Sequence, residues 1–178
     1  PQISTHTGEL SGFEVLARWN HPTRGILAPV DFLEAVLAGG HATRLTEVML
    51  YEALTALRRW DVARLEVPCV AVNFSRQDLS DPGLAEKIKW ELDRFEIAPG
   101  RLCIEILESV AAETDGDVII RNVAALSRLG CRIDLDDFGT GHASITSIKR
   151  FAVDRIKIDR SFVTRIDSDE GQRRLLSA

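Results

Sequence analysis

The feature that most constrains this chain is a set of short β-rich runs, each with one apolar and one polar face, separated by stretches of helical periodicity. The runs are Phe13 to Trp19, Val67 to Ser75, Leu102 to Ser109, Cys131 to Phe138 and Arg155 to Asp159. Each is followed by a loop and usually by a helical pattern, the alternation expected of βα units. Leu50, Leu54 and Leu57 make one helical stripe. Leu84, Ile88, Leu92 and Phe95 make a second, opened by Asp81-Pro82 as cap and first-turn proline. A third, with Ile119, Val123 and Leu126, stops at Gly130, where a left-handed residue would end a helix. Pro1 to Ser4 is expected to end a further strand, and Thr5 to Ser11 to form a turn.

Side chains two apart on a strand share a face. Val15, Ala17 and Trp19 oppose Glu14, Leu16 and Arg18; Val70, Val72 and Phe74 oppose Ala71, Asn73 and Ser75. Ile104 and Ile106 oppose Glu105, Ile133 and Leu135 oppose Asp134 and Asp136, and Ile156 and Ile158 oppose Arg155, Lys157 and Asp159. Parallel strands covered by helices on both sides should instead be nearly continuous hydrophobic runs. Departures in all five runs suggest that polar groups converge where the strands face one another. In a parallel barrel the strand interiors point to one axis, and polar residues at the C-terminal strand ends form the active site. Glu14, Asn73, Glu105, Asp136 and Lys157 would meet there. The competing arrangement is an antiparallel sheet with one wet face, on which the same charges are merely solvated.

With 45% hydrophobic and 28% charged residues among 178, and only 6 prolines and 12 glycines, the chain suits one globular domain with a sizeable core. A formal charge of -5 without a Lys/Arg run argues against coating duplex nucleic acid, though not against a small anion neutralised locally by metal. Cys69, Cys103 and Cys131 sit in apolar runs without a C-x-x-C pair, which favours a reduced, cytoplasmic compartment over a disulfide framework. No apolar stretch is long enough for a membrane span, and a signal-peptide pattern is lacking at Pro1, although a parent protein could be membrane-anchored. The chain opens without Met and ends at Ser177-Ala178 in a helix-like polar stretch, so it is expected to be a fragment.

Glu14, Glu105, Asp136 and the adjacent Asp137 would bring four negative charges to one rim, where like charges repel unless neutralised. Two divalent cations would balance them. All-oxygen ligands, with Asn73 adding a neutral carbonyl, suit Mg²⁺ or Mn²⁺ better than zinc. His6, His21, His41 and His142 have no paired ligand spacing and are expected at the surface. A metal pair at that rim would suit phosphodiester hydrolysis. Arg18, four residues after Glu14, could grip a phosphate oxygen or simply form a salt bridge. Lys157 could orient water or neutralise phosphate, or merely balance Asp159 or Asp134. Asp136 and Asp137 cannot both project alike from a regular strand, so Asp137 is expected where the strand breaks into a loop, with Gly139 and Gly141 permitting a sharp exit.

Several segments together carry a specific resemblance. Glu14-Val15-Leu16 with Ala17-Arg18-Trp19 resembles E-[AV]-L-x-R-W, Val72-Asn73-Phe74-Ser75 resembles V-N-x-S, and Glu105-Ile106-Leu107-Glu108-Ser109 resembles E-I-T-E-S, the signatures of the EAL domain family. Asp136-Asp137-Phe138-Gly139-Thr140-Gly141 is followed at the family's spacing by Val153 to Phe162. The resemblance spans nearly the whole chain. It implies an α/β fold, a modified TIM-like (β/α)8 barrel, and metal-dependent hydrolysis of cyclic di-GMP to linear pGpG. It further implies that Glu14, Asn73, Glu105 and Asp136 ligate metal, that Asp137 serves a second metal and that Lys157 assists the water. By the same resemblance Arg18 and Leu16 bind substrate, Arg18 through phosphate, and Glu108 braces the Asp137 to Gly141 loop. Fused sensory or GGDEF domains are the implied partners, and a homodimer is compatible.

The departures bear on extent. Leu107 stands where the family usually has threonine, Val15 is a conservative variant, and Val36 to Thr43 lacks the acidic stretch of many relatives. By the family pattern, residues 1–178 would be a partial domain of about six of the eight strands. The first strand is nearly absent, and the A-E-G-V-E and Q-G-Y segments, with a glutamate assigned as general base and a glutamine near the metals, would lie further on. A non-catalytic cyclic di-GMP receptor or regulatory module is the alternative, and an enolase-like metalloenzyme is a third reading by fold analogy alone.

Overall fold

The computed structural model describes residues 1–112, 117–140 and 149–164. Its strands are β1 (Gln2–Ile3), β2 (Leu10–Glu14), β3 (Trp19–His21), β4 (Gly25–Leu27), β5 (Val70–Phe74), β6 (Leu102–Leu107), β7 (Arg132–Phe138) and β8 (Arg155–Ile158). The helices are α1 (Leu33–Ala38), α2 (Ala42–Val62), α3 (Arg76–Leu79), α4 (Leu84–Phe95), α5 (Glu108–Ala112) and α6 (Asp117–Leu129). One six-stranded sheet has the order β1-β2-β5-β6-β7-β8; β2 to β8 pair in parallel and β1 runs antiparallel to β2. The parallel ladder rules out the antiparallel sheet with one wet face.

Outward-facing Val70, Val72, Ile104, Ile106, Ile133 and Leu135 form a dry layer with Leu54 and Leu57 of α2, Ile88 and Leu92 of α4, and Val123 and Leu126 of α6, all 2% exposed or less. Each large aliphatic side chain buried this way contributes roughly 1.5–3 kcal/mol, so the helical stripes hold the sheet from outside. Gly130, at φ +105, ends α6 as expected. The cysteines are free and buried, Cys131 within the core. Among the described residues no helix is long and apolar enough to cross a membrane.

The inner face is drawn together by curvature. Four strand spacings separate β2 from β8, about 19 Å if the sheet were flat, yet Lys157 Nζ lies 3.2 Å from Glu14 Oε2. The sheet is therefore curled into an incomplete barrel, the (β/α)8 architecture in part.

Several element boundaries differ from the sequence reading. The run Phe13 to Trp19 is not one strand: pairing with β5 ends at Glu14 opposite Ala71, followed by a Val15 N–H to Ala71 carbonyl bond. Trp19 instead starts a separate β3–β4 hairpin, packed edge-on against Phe32 and His21. The first turn is shorter than Thr5 to Ser11, because Ser4 N–H already donates to the Glu9 carbonyl and β2 begins at Leu10, opposite Ile3. Asp81 accepts from Gly83 N–H at 2.9 Å and so caps the turn before α4, whose own N-terminal boundary is Gly83.

Candidate metal centre at the strand ends

β6 places Glu105 between Ile104 and Ile106, in register with Asn73 of β5 and Asp134 of β7, and leaves it 1% exposed. A carboxylate so deep in a sheet is costly unless compensated. Compensation comes from Lys157 of β8, whose ammonium lies 2.7 Å from Glu105 Oε1, 3.1 Å from Asp136 Oδ2 and 3.2 Å from Glu14 Oε2. One oxygen from each of the three carboxylates lies within 4.8 Å of the others. One monovalent cation thus stands among three carboxylates. Glu105 remains short of partners: Lys157 approaches its Oε1 as an ion pair, and its Oε2 has no hydrogen-bond partner among the described residues.

The titration of the cluster follows from this imbalance. Burial first, and then the charges of Glu14 and Asp136, raise the Glu105 carboxyl to about 7 against the opposing pull of Lys157. For Lys157, burial works against the charged form but is outweighed by Glu105 and Asp136, so the ammonium is held well above its ordinary value. A divalent ion coordinated by Glu14, Glu105 and Asp136 would supply the missing positive charge and a partner for Glu105 Oε2. Acceptor-only oxygens fit Mg²⁺ or Mn²⁺.

Asp136 and Asp137 are accommodated by a bulge rather than by the end of the strand. Leu135 pairs with Ile156 and Phe138 with Ile158, so two aspartates oppose Lys157 alone. Asp137 adopts φ +55, the left-handed region, and β7 continues to Phe138. Burial, with Asp136 and Asp159 adding to it, raises the Asp137 carboxyl. Beyond the bulge, Gly139 N–H donates to Glu108 Oε2 at 2.8 Å, with Glu108 buried at the start of α5.

Glu14, Glu105, Asp136 and Lys157 are thus brought together, with Asp137 beside them at the bulge. Asn73 is exposed at the rim one strand from Glu105. Leu16 and Arg18 fall beyond the end of β2, both exposed, and the Arg18 guanidinium donates to the Ala17 carbonyl at 2.7 Å. Lys157 does not pair with Asp134 or Asp159. Asp134 is instead taken by Arg155, whose Nε lies 2.8 Å from Asp134 Oδ2. Period two puts Asp134 on the face of Asp136 and Arg155 on the face of Lys157, but it is the β7–β8 register that sets Asp134 opposite Arg155. His21 accepts from Thr23 and Arg24 N–H within the β3–β4 turn; His142 and Gly141 lie outside the described residues.

The sequence matches the family described as "EAL domain" along residues 1–178. The chain belongs to the EAL domain family. This EAL chain is 32% identical over 178 residues to the bifunctional diguanylate cyclase/cyclic di-GMP phosphodiesterase MucR of Pseudomonas aeruginosa, covering 100% of the chain and 26% of MucR. It is 32% identical over 180 residues to the cyclic di-GMP phosphodiesterase PdeR of Escherichia coli, again covering 100% of the chain and 26% of that protein. The solved c-di-GMP complex of the PaMucR phosphodiesterase superposes with a TM-score of 0.88 at 31% identity, covering 98% of this chain and 70% of that one. The chain therefore spans about a quarter of the length of these curated relatives.

Proposed function

We propose that this chain supplies the metal-binding part of a phosphodiesterase that hydrolyses cyclic di-GMP to linear pGpG. The observation that carries the reading is the convergence of Glu14, Glu105 and Asp136 on a single ammonium, with one buried carboxylate oxygen left without a partner. Similarity to MucR, PdeR and the PaMucR complex supports the substrate class.

Glu14, Glu105 and Asp136, joined by Asn73, would hold a first Mg²⁺ or Mn²⁺; Asp137 beside Asp136 would hold a second. When bound, such ions polarise a phosphoryl oxygen and make coordinated water acidic enough to attack at neutral pH. The chain's own residues then have distinct tasks. Lys157, kept protonated by its carboxylates, orients the water and offsets charge on the phosphoryl oxygens. Exposed Arg18 binds the phosphate and Leu16 lines the substrate side of the rim. Glu108 holds the Gly139 end of the bulge through its hydrogen bond. In the reaction a water oxygen bonds to phosphorus, one ribose oxygen leaves with a proton, and the ring opens. The group that takes the water's proton is assigned, by the family resemblance, to a segment following Ala178, which makes residues 1–178 the larger part of a domain. Sensory or GGDEF neighbours, a cytoplasmic setting and a homodimer complete the proposal, and the short share of MucR that the chain spans agrees with further domains.

The test is turnover of cyclic di-GMP by the protein that carries this chain, with and without Mg²⁺ or Mn²⁺. Metal-dependent formation of pGpG is expected. Tight binding of cyclic di-GMP without hydrolysis under every metal condition would favour a receptor instead.

A further inference from the structure

We propose that Phe162 is a positioning residue: its ring fills the space a side chain at Gly139 would occupy and thereby fixes the Asp136–Asp137 bulge against β8. The inference rests on the metal-centre reading above and concerns what holds that centre in shape.

Gly139 stands at φ +103, a conformation that favours glycine, but conformation is only half of its constraint. A Cβ added there would come within 2.5 Å of Phe162 Cζ and 3.2 Å of Cδ2, so the aromatic ring rests on the bare Cα. The ring is aimed by its own segment. Asp159 Oδ1 accepts from Ser161 N–H at 2.8 Å and caps the 3-10 turn Arg160–Phe162, and Phe162 N–H donates to the Asp159 carbonyl at 3.1 Å. Asp159 N–H in turn donates to the Phe138 carbonyl at 3.2 Å. The exit of β8 is thereby tied to the exit of β7 at two successive residues, by backbone at Phe138 and by the ring at Gly139. From another direction Gly139 N–H is tied to Glu108.

What lies inside this clamp is a strained element. Asp137 at φ +55 occupies the left-handed region, uncommon for a non-glycine residue, and such conformations persist where their surroundings over-determine them. Phe162 supplies one of those determinants. Lys157, two residues before Asp159, and Asp136, two residues before Phe138, are the groups whose separation of 3.1 Å depends on the two exits staying together. Loss of the ring frees the bulge to relax, and a misplacement of about 1 Å at a reacting centre can cost on the order of 10²-fold.

The experiment measures Mn²⁺ affinity by electron paramagnetic resonance of the free ion, and kcat and KM for cyclic di-GMP. The proteins are the unsubstituted protein carrying this chain, Phe162→Ala, Phe162→Tyr, Gly139→Ala and the Phe162→Ala/Gly139→Ala pair. Phe162→Ala is expected to weaken Mn²⁺ binding about 10-fold, as loss of an outer support to metal ligands does, and to lower kcat more than it raises KM. Phe162→Tyr, which keeps the ring, should restore both to within about 2-fold of the starting protein. Gly139→Ala should be damaging with Phe162 present, and the pair should lose less than the sum of the single losses, because the ring that meets the added methyl is gone. If Phe162→Ala does not fold, Phe162→Leu is measured in its place with the same expectation. Unchanged Mn²⁺ affinity and turnover in a folded ring-less variant, or strictly additive losses in the pair, would overturn the inference alone. Absence of Mn²⁺ binding by the unsubstituted protein would overturn the metal-centre reading and this inference with it.

Discussion

Two levels of the curled sheet carry charges on its inner face, and they are balanced in opposite ways. At the lower level Asp134, 1% exposed, meets Arg155, which reaches its Oδ2 from Nε at 2.8 Å and also donates to Gln2 Oε1 at 3.1 Å. One carboxylate has one guanidinium there, and the guanidinium also ties β8 to β1. Two residues further along the same two strands, Lys157 faces Asp136, Glu105 and Glu14 together, and Glu105 Oε2 has no hydrogen-bond partner among the described residues. The lower level is a closed ion pair that stabilises the barrel. The upper level sets three carboxylates against one ammonium, a cluster that could hold a further cation, in keeping with the division between stability at the bottom and chemistry at the rim of such barrels.

Substitutions should separate the two levels. The largest effect is expected from Asp136→Asn or Glu105→Gln, each of which should lower metal-dependent turnover of cyclic di-GMP on the order of 10³-fold. Thermal unfolding of either metal-free variant should shift little or upward, because a repelling charge has been removed. Steady-state kinetics beside calorimetry would check both halves, and a large drop in stability without loss of turnover would merge the levels that are here kept apart. Arg155→Met should do the reverse by leaving Asp134 buried and unpaired. We expect a loss of about 3 kcal/mol in denaturant unfolding, the lower end for a broken buried pair since Arg155 is partly exposed, with most of it recovered in Arg155→Met/Asp134→Leu.

A third, somewhat smaller effect concerns the ion itself. Saturating Mg²⁺ or Mn²⁺ at about 100 times its Kd should stabilise the protein by about 2.7 kcal/mol. Chelation should reverse this, and Asp136→Asn should abolish it while Asp134→Asn leaves the increment in place. The smallest effect lies outside both levels, where Arg101 holds Asp61 at 2.7 Å. The hydrogen bond from Arg101 keeps the Asp61 carboxyl below its ordinary range despite some desolvation. Its folded value being depressed, the stability it adds is full above the ordinary aspartate range and is lost as pH falls through the folded value. Asp61→Asn should therefore cost up to about 1 kcal/mol at neutral pH and nothing at strongly acid pH, read from unfolding curves at both.

The upper level was legible in the sequence because period-two alternation puts Glu14, Asn73, Glu105, Asp136 and Lys157 on one face, and because parallel strands tolerate such charges only where they converge. The helix stripes Leu50/Leu54/Leu57, Leu84/Ile88/Leu92/Phe95 and Ile119/Val123/Leu126 were legible for the same periodic reason, and all are buried except Phe95, which is partly buried against the core. Features set by pairing between distant segments were not. Which cation answers Asp134 depends on the β7–β8 register, and a bulge interrupts that register at Asp136–Asp137. The end of β2 at Glu14 is where this strand leaves β5, which itself runs on to Phe74, and alternation does not mark that point since Val15 to Trp19 still alternates like a strand. Phe162 sits in a single 3-10 turn without periodicity, so its contact with Gly139 exists only in three dimensions.

The most direct test of the contrast between the levels is titration of Mn²⁺ into the metal-free protein carrying this chain, into Glu105→Gln and into Asp134→Asn, with the free ion followed by electron paramagnetic resonance. The account predicts saturable binding by the unsubstituted protein and by whatever Asp134→Asn remains folded, and affinity at least about 10-fold weaker in Glu105→Gln. Equal Mn²⁺ affinity in Glu105→Gln and the unsubstituted protein, or binding lost in folded Asp134→Asn alone, would contradict it.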